Sequence, residues 1–156
     1  MAQHPENKRP KVGLGVYILN DKNELLLLRR KGAHGADTWC APGGHLEFGE
    51  SFEECAKREA KEESDLAVDD LTVVGVTNDI FEEEGKHYIT ISMCAKGYKG
   101  VPKIMEPEYC DAIRWFSMNQ LPTPLFISTQ NYFDSDPLCL CGSSVRFKKC
   151  CARPKL

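Results

Sequence analysis

Ala41-Pro42-Gly43-Gly44-His45-Leu46-Glu47-Phe48-Gly49-Glu50-Ser51-Phe52-Glu53-Glu54-Cys55-Ala56-Lys57-Arg58-Glu59-Ala60-Lys61-Glu62-Glu63-Ser64-Asp65-Leu66 places a glycine-bearing loop directly before a helix signal. Ser51-x-x-Glu54 is a capping box, whose side chains satisfy backbone N–H groups that a helix start leaves orphaned. A helix is therefore expected over 51–63. Phe52, Cys55, Ala56 and Ala60 fall at i, i+3, i+4 and i+8, a narrow apolar stripe suited to packing on a sheet. Glu59, Glu62 and Glu63 share a face, where like charges repel by roughly a few tenths of a kcal/mol per pair. Arg58 relieves part of this. A hard divalent cation relieves more, since Mg2+ takes oxygen ligands and joins a few carboxylates to substrate phosphates. An isolated acidic cluster is ordinarily a solvated face; the upstream loop argues for the cation, because glycine lets backbone approach a metal or phosphate closely.

Outward from this segment, residues 12–19 and 24–29 flank Asn20-Asp21-Lys22-Asn23, and that turn chemistry predicts a hairpin. Residues 71–80 and 87–95 are β-branched and partly alternating, with a charged turn at 82–86, and predict a second strand pair. A short strand is expected at 113–116 and a last helix at 126–133. Strands in pairs around a helix indicate an α/β fold, a mixed sheet with helices on its faces. Trp39 and Trp115 are assigned to its core, since large aromatics usually supply packing area.

The 156 residues are 42% hydrophobic and 28% charged, the balance of one compact soluble domain and not of a disordered or fibrous chain. Apolar runs are too short for a membrane span, and no apolar stretch follows a basic start, so neither a span nor a secretory signal is expected. A cytoplasmic location follows. The net charge of −3 averages two unlike parts. Residues 139–156 hold five Lys or Arg and no acid, so residues 1–138 carry 15 basic against 23 acidic, a balance of −8 before a +5 tail. Four of the eight cysteines also lie in that tail. The expected organisation is a flexible N-terminus at 1–10, a main domain at 11–134 and a cysteine-bearing tail at 135–156. Asp134-Ser135-Asp136-Pro137 marks the boundary.

Gly44, five residues, Glu50, seven residues, then Arg58-Glu59-Ala60-Lys61-Glu62-Glu63-Ser64-Asp65-Leu66 resembles the Nudix box, Gly-x5-Glu-x7-Arg-Glu-U-x-Glu-Glu-x-Gly-U, where U is a bulky aliphatic. Asp65 stands at the usual glycine and Ala60 is small for its slot; neither touches the carboxylates. The glycine slot favours a left-handed conformation, which Asp tolerates better than most residues. The resemblance implies a Nudix α/β/α sandwich and a Mg2+-dependent (or Mn2+-dependent) hydrolase that cleaves a pyrophosphate bond by attack of water on phosphorus. It makes Glu59 and Glu63 the innermost metal ligands, with Glu62 alongside and the Gly44 carbonyl joining them. Arg58 would orient the glutamates and Glu50 would support them by hydrogen bonding. The general base falls to Glu59, with Glu108 or Glu106 as alternatives. Further matches at Trp39-x-x-Pro42, His87-Tyr88-x-Thr90-Ile91, Met105-Glu106-Pro107-Glu108 and Leu121-Pro122-x-Pro124-Leu125-Phe126 resemble a MutT-like nucleoside triphosphate subgroup. By that likeness the product is a monophosphate with pyrophosphate, Phe126 stacks on the base, Thr90 and Ser128 line the pocket, and Gly43, Gly44 and His45 lie near the phosphates. ADP-ribose, dinucleoside polyphosphates and a non-catalytic scaffold are the alternatives. Homodimers are common in similar enzymes.

Cys139-x-Cys141-x8-Cys150-Cys151 places four thiols within 13 residues. Four thiolates suit tetrahedral Zn2+, and Leu138, Leu140, Val145 and Phe147 are too few to fold the segment unaided. A disulfide pair or unstructured thiols are the alternatives; a reducing compartment favours zinc. The segment resembles the SEC-C zinc motif, with Leu140 and Ser144 replacing a usual proline and glycine. That likeness implies an adaptor for a protein partner, with nucleic acid the alternative for the five basic residues. Cys40, Cys55, Cys94 and Cys110 lie on core-like segments and are expected to be inert.

Overall fold

The computed structural model describes residues 8–154; most of the expected flexible N-terminus, residues 1–7, lies outside them. Seven strands, β1 (Lys11–Ile18), β2 (Glu24–Arg30), β3 (Trp39–Cys40), β4 (Gly43–His45), β5 (Ala67–Phe81), β6 (Lys86–Lys99) and β7 (Cys110–Ser117), form two sheets. Two helices join them, α1 (Phe52–Ser64) and α2 (Ile127–Asp134). One sheet is mixed, in the order β4-β1-β6-β5, with β1 and β6 parallel and the other pairs antiparallel. The second, β3-β2-β7, is antiparallel.

The expected hairpin at 12–19 and 24–29 is corrected. The turn forms, with the Asn20 N–H donating to the Glu24 carbonyl at 3.0 Å, but pairing ends at the single bridge Leu19–Leu25. Both edges of β1 are already taken, by β6 on one side and the Gly43–His45 strand on the other, so β2 turns away into the second sheet. Leu25, Leu26, Leu27 and Leu28 are all buried, as a strand covered on both faces requires. Leu25 and Leu27 join one core cluster and Leu26 the other, so β2 lies between the two apolar layers.

The strand pair at 71–80 and 87–95 forms as expected and runs longer, with a register shift between Val73 and Gly75. Helix α1 packs on the mixed sheet through Cys55, Ala56 and Ala60, each fully buried, small enough for a close approach. Phe52 does not share that face. It is 40% exposed, one residue past the cap where the helix has not yet met the sheet, and Leu66, fully buried beyond the C-cap, completes the contact instead. On the opposite layer α2 seats Tyr132 against Tyr17, ring centroids 4.5 Å apart, and Phe133 beside it. Trp39 is buried in this second cluster; Trp115 is partly buried in the first, beside Tyr98. The result is the expected α/β/α sandwich, built on two sheets. Among the described residues, no helix is long and apolar enough to cross a membrane.

The cysteine segment is not separate from this core. Cys139, Leu140 and Phe147 are buried in the same cluster as Tyr132 and Phe133, and the Phe147 ring lies 4.8 Å from Phe133.

Candidate active site

The sequence sets α1 in place at both ends. Ser51 adopts an extended conformation and accepts from the Glu54 N–H, while Glu54 accepts from the Ser51 N–H at 2.7 Å. At the other end Asp65 takes the left-handed conformation, φ 61°, that its slot demands. Between the caps, Arg58 organises the carboxylates. Its Nε and Nη2 hold both Glu50 oxygens, at 2.7 and 3.0 Å, and Nη1 reaches Glu59 at 2.7 Å and Glu62 at 3.3 Å. Nη2 also donates to the His45 carbonyl at 3.1 Å, pinning loop to helix. The guanidinium holds Glu50 down, to about 2.

Glu63 has no cationic partner within ion-pair distance among the described residues. Its Oε2 accepts from the Gly43 N–H at 2.9 Å. Burial pushes it up to about 8; the Gly43 N–H opposes this, and the charges of Glu59 and Glu106 add to it. Burial also raises Glu59, against the pull of Arg58. Gly44 lies against Glu59: a Cβ added there would sit 2.3 Å from Glu59 Oε1. Glu62 stands apart, its side chain 53% exposed.

Two cavities meet at this loop. A groove of about 500 Å3 is lined by Glu63, Glu106 and Glu108 together with Arg29, Arg30 and Lys31. Burial, then Glu108 and Glu62, raise Glu106. A smaller cavity of about 140 Å3 contains every residue the resemblance placed near substrate: Gly43, Gly44, His45, Thr90, Phe126 and Ser128. His45 Nε2 lies 3.2 Å from the Tyr88 hydroxyl. Arg30, His34, Cys40, Gly43 and Gly44 line both cavities.

Several lining residues escaped the sequence reading. Arg30 stacks over Phe126, its guanidinium carbon 4.3 Å from the ring centroid. Phe81 lies 5.4 Å from Phe126 and 4.8 Å from His34, closing an aromatic wall with Tyr88. His34 pairs with Glu84, tying the loop after β2 to the β5–β6 turn. The run Arg29-Arg30-Lys31 after a buried strand was the available signal. Its alternation points Arg29 outward to Asp111, at 2.7 Å, and leaves Arg30 inward, with no carboxylate partner among the described residues.

The four tail cysteines bring their sulfurs within 4.8 Å of one another, in a group that could hold a metal ion. Cys141 Sγ lies 3.6 Å from Cys150 Sγ, and Cys150 Sγ 3.9 Å from Cys151 Sγ. These are free thiols, far outside the ~2.05 Å of a disulfide.

This α/β/α sandwich with glutamates on a capped helix behind a Gly-Gly loop defines a class, and comparison with known proteins gives the same one. The NUDIX domain profile matches residues 9–135, and the chain belongs to that family. It is 32% identical over 116 residues to the 8-oxo-dGDP phosphatase NUDT18 of Mus musculus, covering 73% of this chain and 34% of that protein. The chain thus spans about a third of that relative's length. It is 33% identical over 110 residues to the oxidized purine nucleoside triphosphate hydrolase of Mus musculus, 69% of this chain and 66% of that one. The crystal structure of a MutT NUDIX hydrolase from Burkholderia pseudomallei superposes with a TM-score of 0.75 at 33% identity, covering 79% of this chain and 95% of its own.

Proposed function

We propose that this chain is a divalent-metal-dependent pyrophosphohydrolase that cleaves (deoxy)nucleoside triphosphates or related derivatives to the monophosphate and pyrophosphate. The observation that carries this reading is the shared wall: a groove bearing both glutamates and basic side chains and an aromatic, hydroxyl-bearing cavity open onto the same Gly43-Gly44 backbone. A base in the cavity thereby sets its phosphates beside the glutamates. The relatives named for oxidised purine nucleotides support the same substrate class.

The donor set fits Mg2+ or Mn2+. Glu63 is an enclosed carboxylate with one N–H partner and like charges beside it, and hard oxygen donors are what such ions take. Glu59 and Glu63 would hold the ion, with Glu62 and the Gly44 carbonyl. Bound there, it supplies charge neutralisation at the phosphoryl oxygens and a more acidic water. The protein's own part is positional. Arg58 fixes Glu59 and Glu62, and Glu50 fixes Arg58 through a two-pronged pair. Glu59 is the first assignment for accepting the proton of the attacking water; Glu106 and Glu108, on the groove wall, are the alternatives. His45 and Arg30 flank the phosphate path.

A panel of (d)NTPs, ADP-ribose and dinucleoside polyphosphates with Mg2+, assayed for phosphate and pyrophosphate release, tests the reading. Pyrophosphate from triphosphates is the expected result. No turnover on any of them favours a nucleotide-binding or partner-binding scaffold.

For the tail we infer a structural Zn2+ held by Cys139, Cys141, Cys150 and Cys151. Tetrahedral thiolates at ~2.3 Å from zinc are spaced by about 3.8 Å, close to the spacings seen here. Burial raises Cys141, but hydrogen bonding with Ser143 and the neighbouring thiols outweighs this and lowers it, the direction that favours binding as thiolate. Equal zinc content in purified wild type and a Cys139→Ser, Cys141→Ser variant would remove this assignment. Arg146, Lys148, Lys149 and Arg153 are exposed around the cluster and suit an acidic partner, which the likeness to the SEC-C motif makes a protein.

A further inference from the structure

Asp79 is fully buried in β5, with no basic side chain within ion-pair distance among the described residues. A buried carboxylate is costly unless its oxygens are hydrogen-bonded, and here three side chains do so. Thr77 Oγ1 donates to Oδ2 at 3.0 Å, Thr90 Oγ1 donates to the same oxygen at 2.5 Å, and Asn131 Nδ2 donates to Oδ1 at 2.8 Å. The donors come from β5, β6 and α2. Thr77 and Thr90 are cross-strand partners, so their hydroxyls converge on Asp79 by register.

Thr90 also lines the smaller cavity. A threonine hydroxyl has one proton and two lone pairs. With its proton given inward to Asp79, Thr90 faces the cavity with lone pairs alone. We propose that Asp79 is a positioning residue that sets the hydrogen-bond polarity of the pocket: by accepting the hydrogen bond that the Thr90 hydroxyl donates, it leaves Thr90 as an acceptor that selects a nucleobase offering an N–H donor at that edge. This rests on the nucleotide reading above and specifies it. Without Asp79 the hydroxyl is free to rotate and serves a donor or an acceptor equally; with it, a base presenting a lone pair at that point leaves two acceptors facing each other.

The test uses substrate pairs in which one hydrogen-bond donor group is removed. These are dGTP against dITP, which lacks the exocyclic amine; dGTP against its N1-methyl derivative, which lacks the ring N1–H; and dTTP against its N3-methyl derivative, which lacks the ring N3–H. Wild type should lose about 10-fold or more in kcat/KM, mainly through KM, on at least one donor-deleted partner. Thr90→Val, which keeps the shape and loses the hydroxyl, should reduce that ratio to about 1–2, and Thr90→Ser should retain it. Asp79→Ala should relax the ratio, with the change carried mainly by KM.

Wild type without discrimination, or Thr90→Val with the wild-type ratio, overturns the proposal. Loss of the ratio in Thr90→Ser overturns it as well. A ratio retained in a folded Asp79→Ala protein removes Asp79 from the role; if that variant does not fold, the two threonine variants still decide whether Thr90 reads an N–H. Should wild type turn over none of these substrates, the triphosphate reading fails by itself. Calorimetric binding of the corresponding monophosphates then reads the same ratios, and their equality overturns the polarity proposal independently.

Discussion

Glu63 carries opposed demands: the position that suits a metal ion is poor for the metal-free fold. Its carboxylate is pushed up by burial and by Glu59 and Glu106. Glu63→Gln keeps an acceptor for the Gly43 N–H and removes the charge, so the metal-free variant should melt at or above the wild-type temperature. Its Mg2+-dependent kcat should fall on the order of 100-fold or more. Retained turnover would take Glu63 out of the metal site. The two loop glycines separate fold from function in the same way. A Cβ at Gly43 would lie 2.1 Å from the Leu14 carbonyl oxygen of β1, a backbone atom that cannot yield, so Gly43→Ala should lower the melting temperature. At Gly44 the clash is with the Glu59 carboxylate, so Gly44→Ala should cost activity before stability. Comparing melting and turnover of the two variants checks both. Thiol chemistry divides as cleanly: burial pushes Cys40 and Cys55 up to about 12 and Cys94 to about 11, and raises Cys110. Iodoacetamide at pH 8, mapped by mass spectrometry, should label tail cysteines in metal-stripped native protein and none of these four before unfolding.

At the scale of elements, the capped helix is the unit that turns a local motif into a site. Ser51→Ala removes one half of the capping box and should cost about 1 kcal/mol, read as a lower melting temperature, with KM little changed because the carboxylates lie two turns further on. The helix can approach the sheet closely because Cys55, Ala56 and Ala60 are small. That closeness places Glu59 and Glu63 against Gly44 and Gly43. The caps, the stripe of small residues and the glycine loop were legible in the sequence, since capping, periodicity and glycine placement are local; the contact of Glu63 with the Gly43 N–H, 20 residues away, was not. The fate of β2 was not: turn residues predicted a hairpin, and the turn formed, but strand pairing depends on which edges remain free. Phe52 likewise matched the stripe by spacing alone, and its exposure depends on where the sheet ends.

Across the whole molecule, the tail and the cavity share α2. Cys139 and Phe147 pack against Tyr132 and Phe133, while Phe126, Ser128 and Thr129, at the other end of the helix, line the cavity. Loss of the proposed tail zinc should therefore do more than unravel the last residues. A structural zinc site supplies on the order of 10 kcal/mol of apparent folding energy to a small module, part of which would hold Phe147 on α2. Stripping the metal with a strong chelator, or the Cys139→Ser, Cys141→Ser variant, should lower the melting temperature by at least ~5 °C and raise KM for nucleotide. An unchanged KM alongside a lower melting temperature would confine the tail to stability.

The sequence by itself determined the capped helix, the Arg58-centred glutamates, the left-handed turn at Asp65 and the four clustered thiols, because each is set by residues within one or two turns or one short loop. Tertiary structure alone decided that β2 leaves β1 for the second sheet, that Arg30 and Phe81 close the pocket around Phe126, and that Asp79 gathers Thr77, Thr90 and Asn131. Asn131 is 52 residues from Asp79, and no local period links them. They meet because α2 packs on the sheet that carries β5 and β6, and a buried carboxylate there must find its donors wherever the packing brings them.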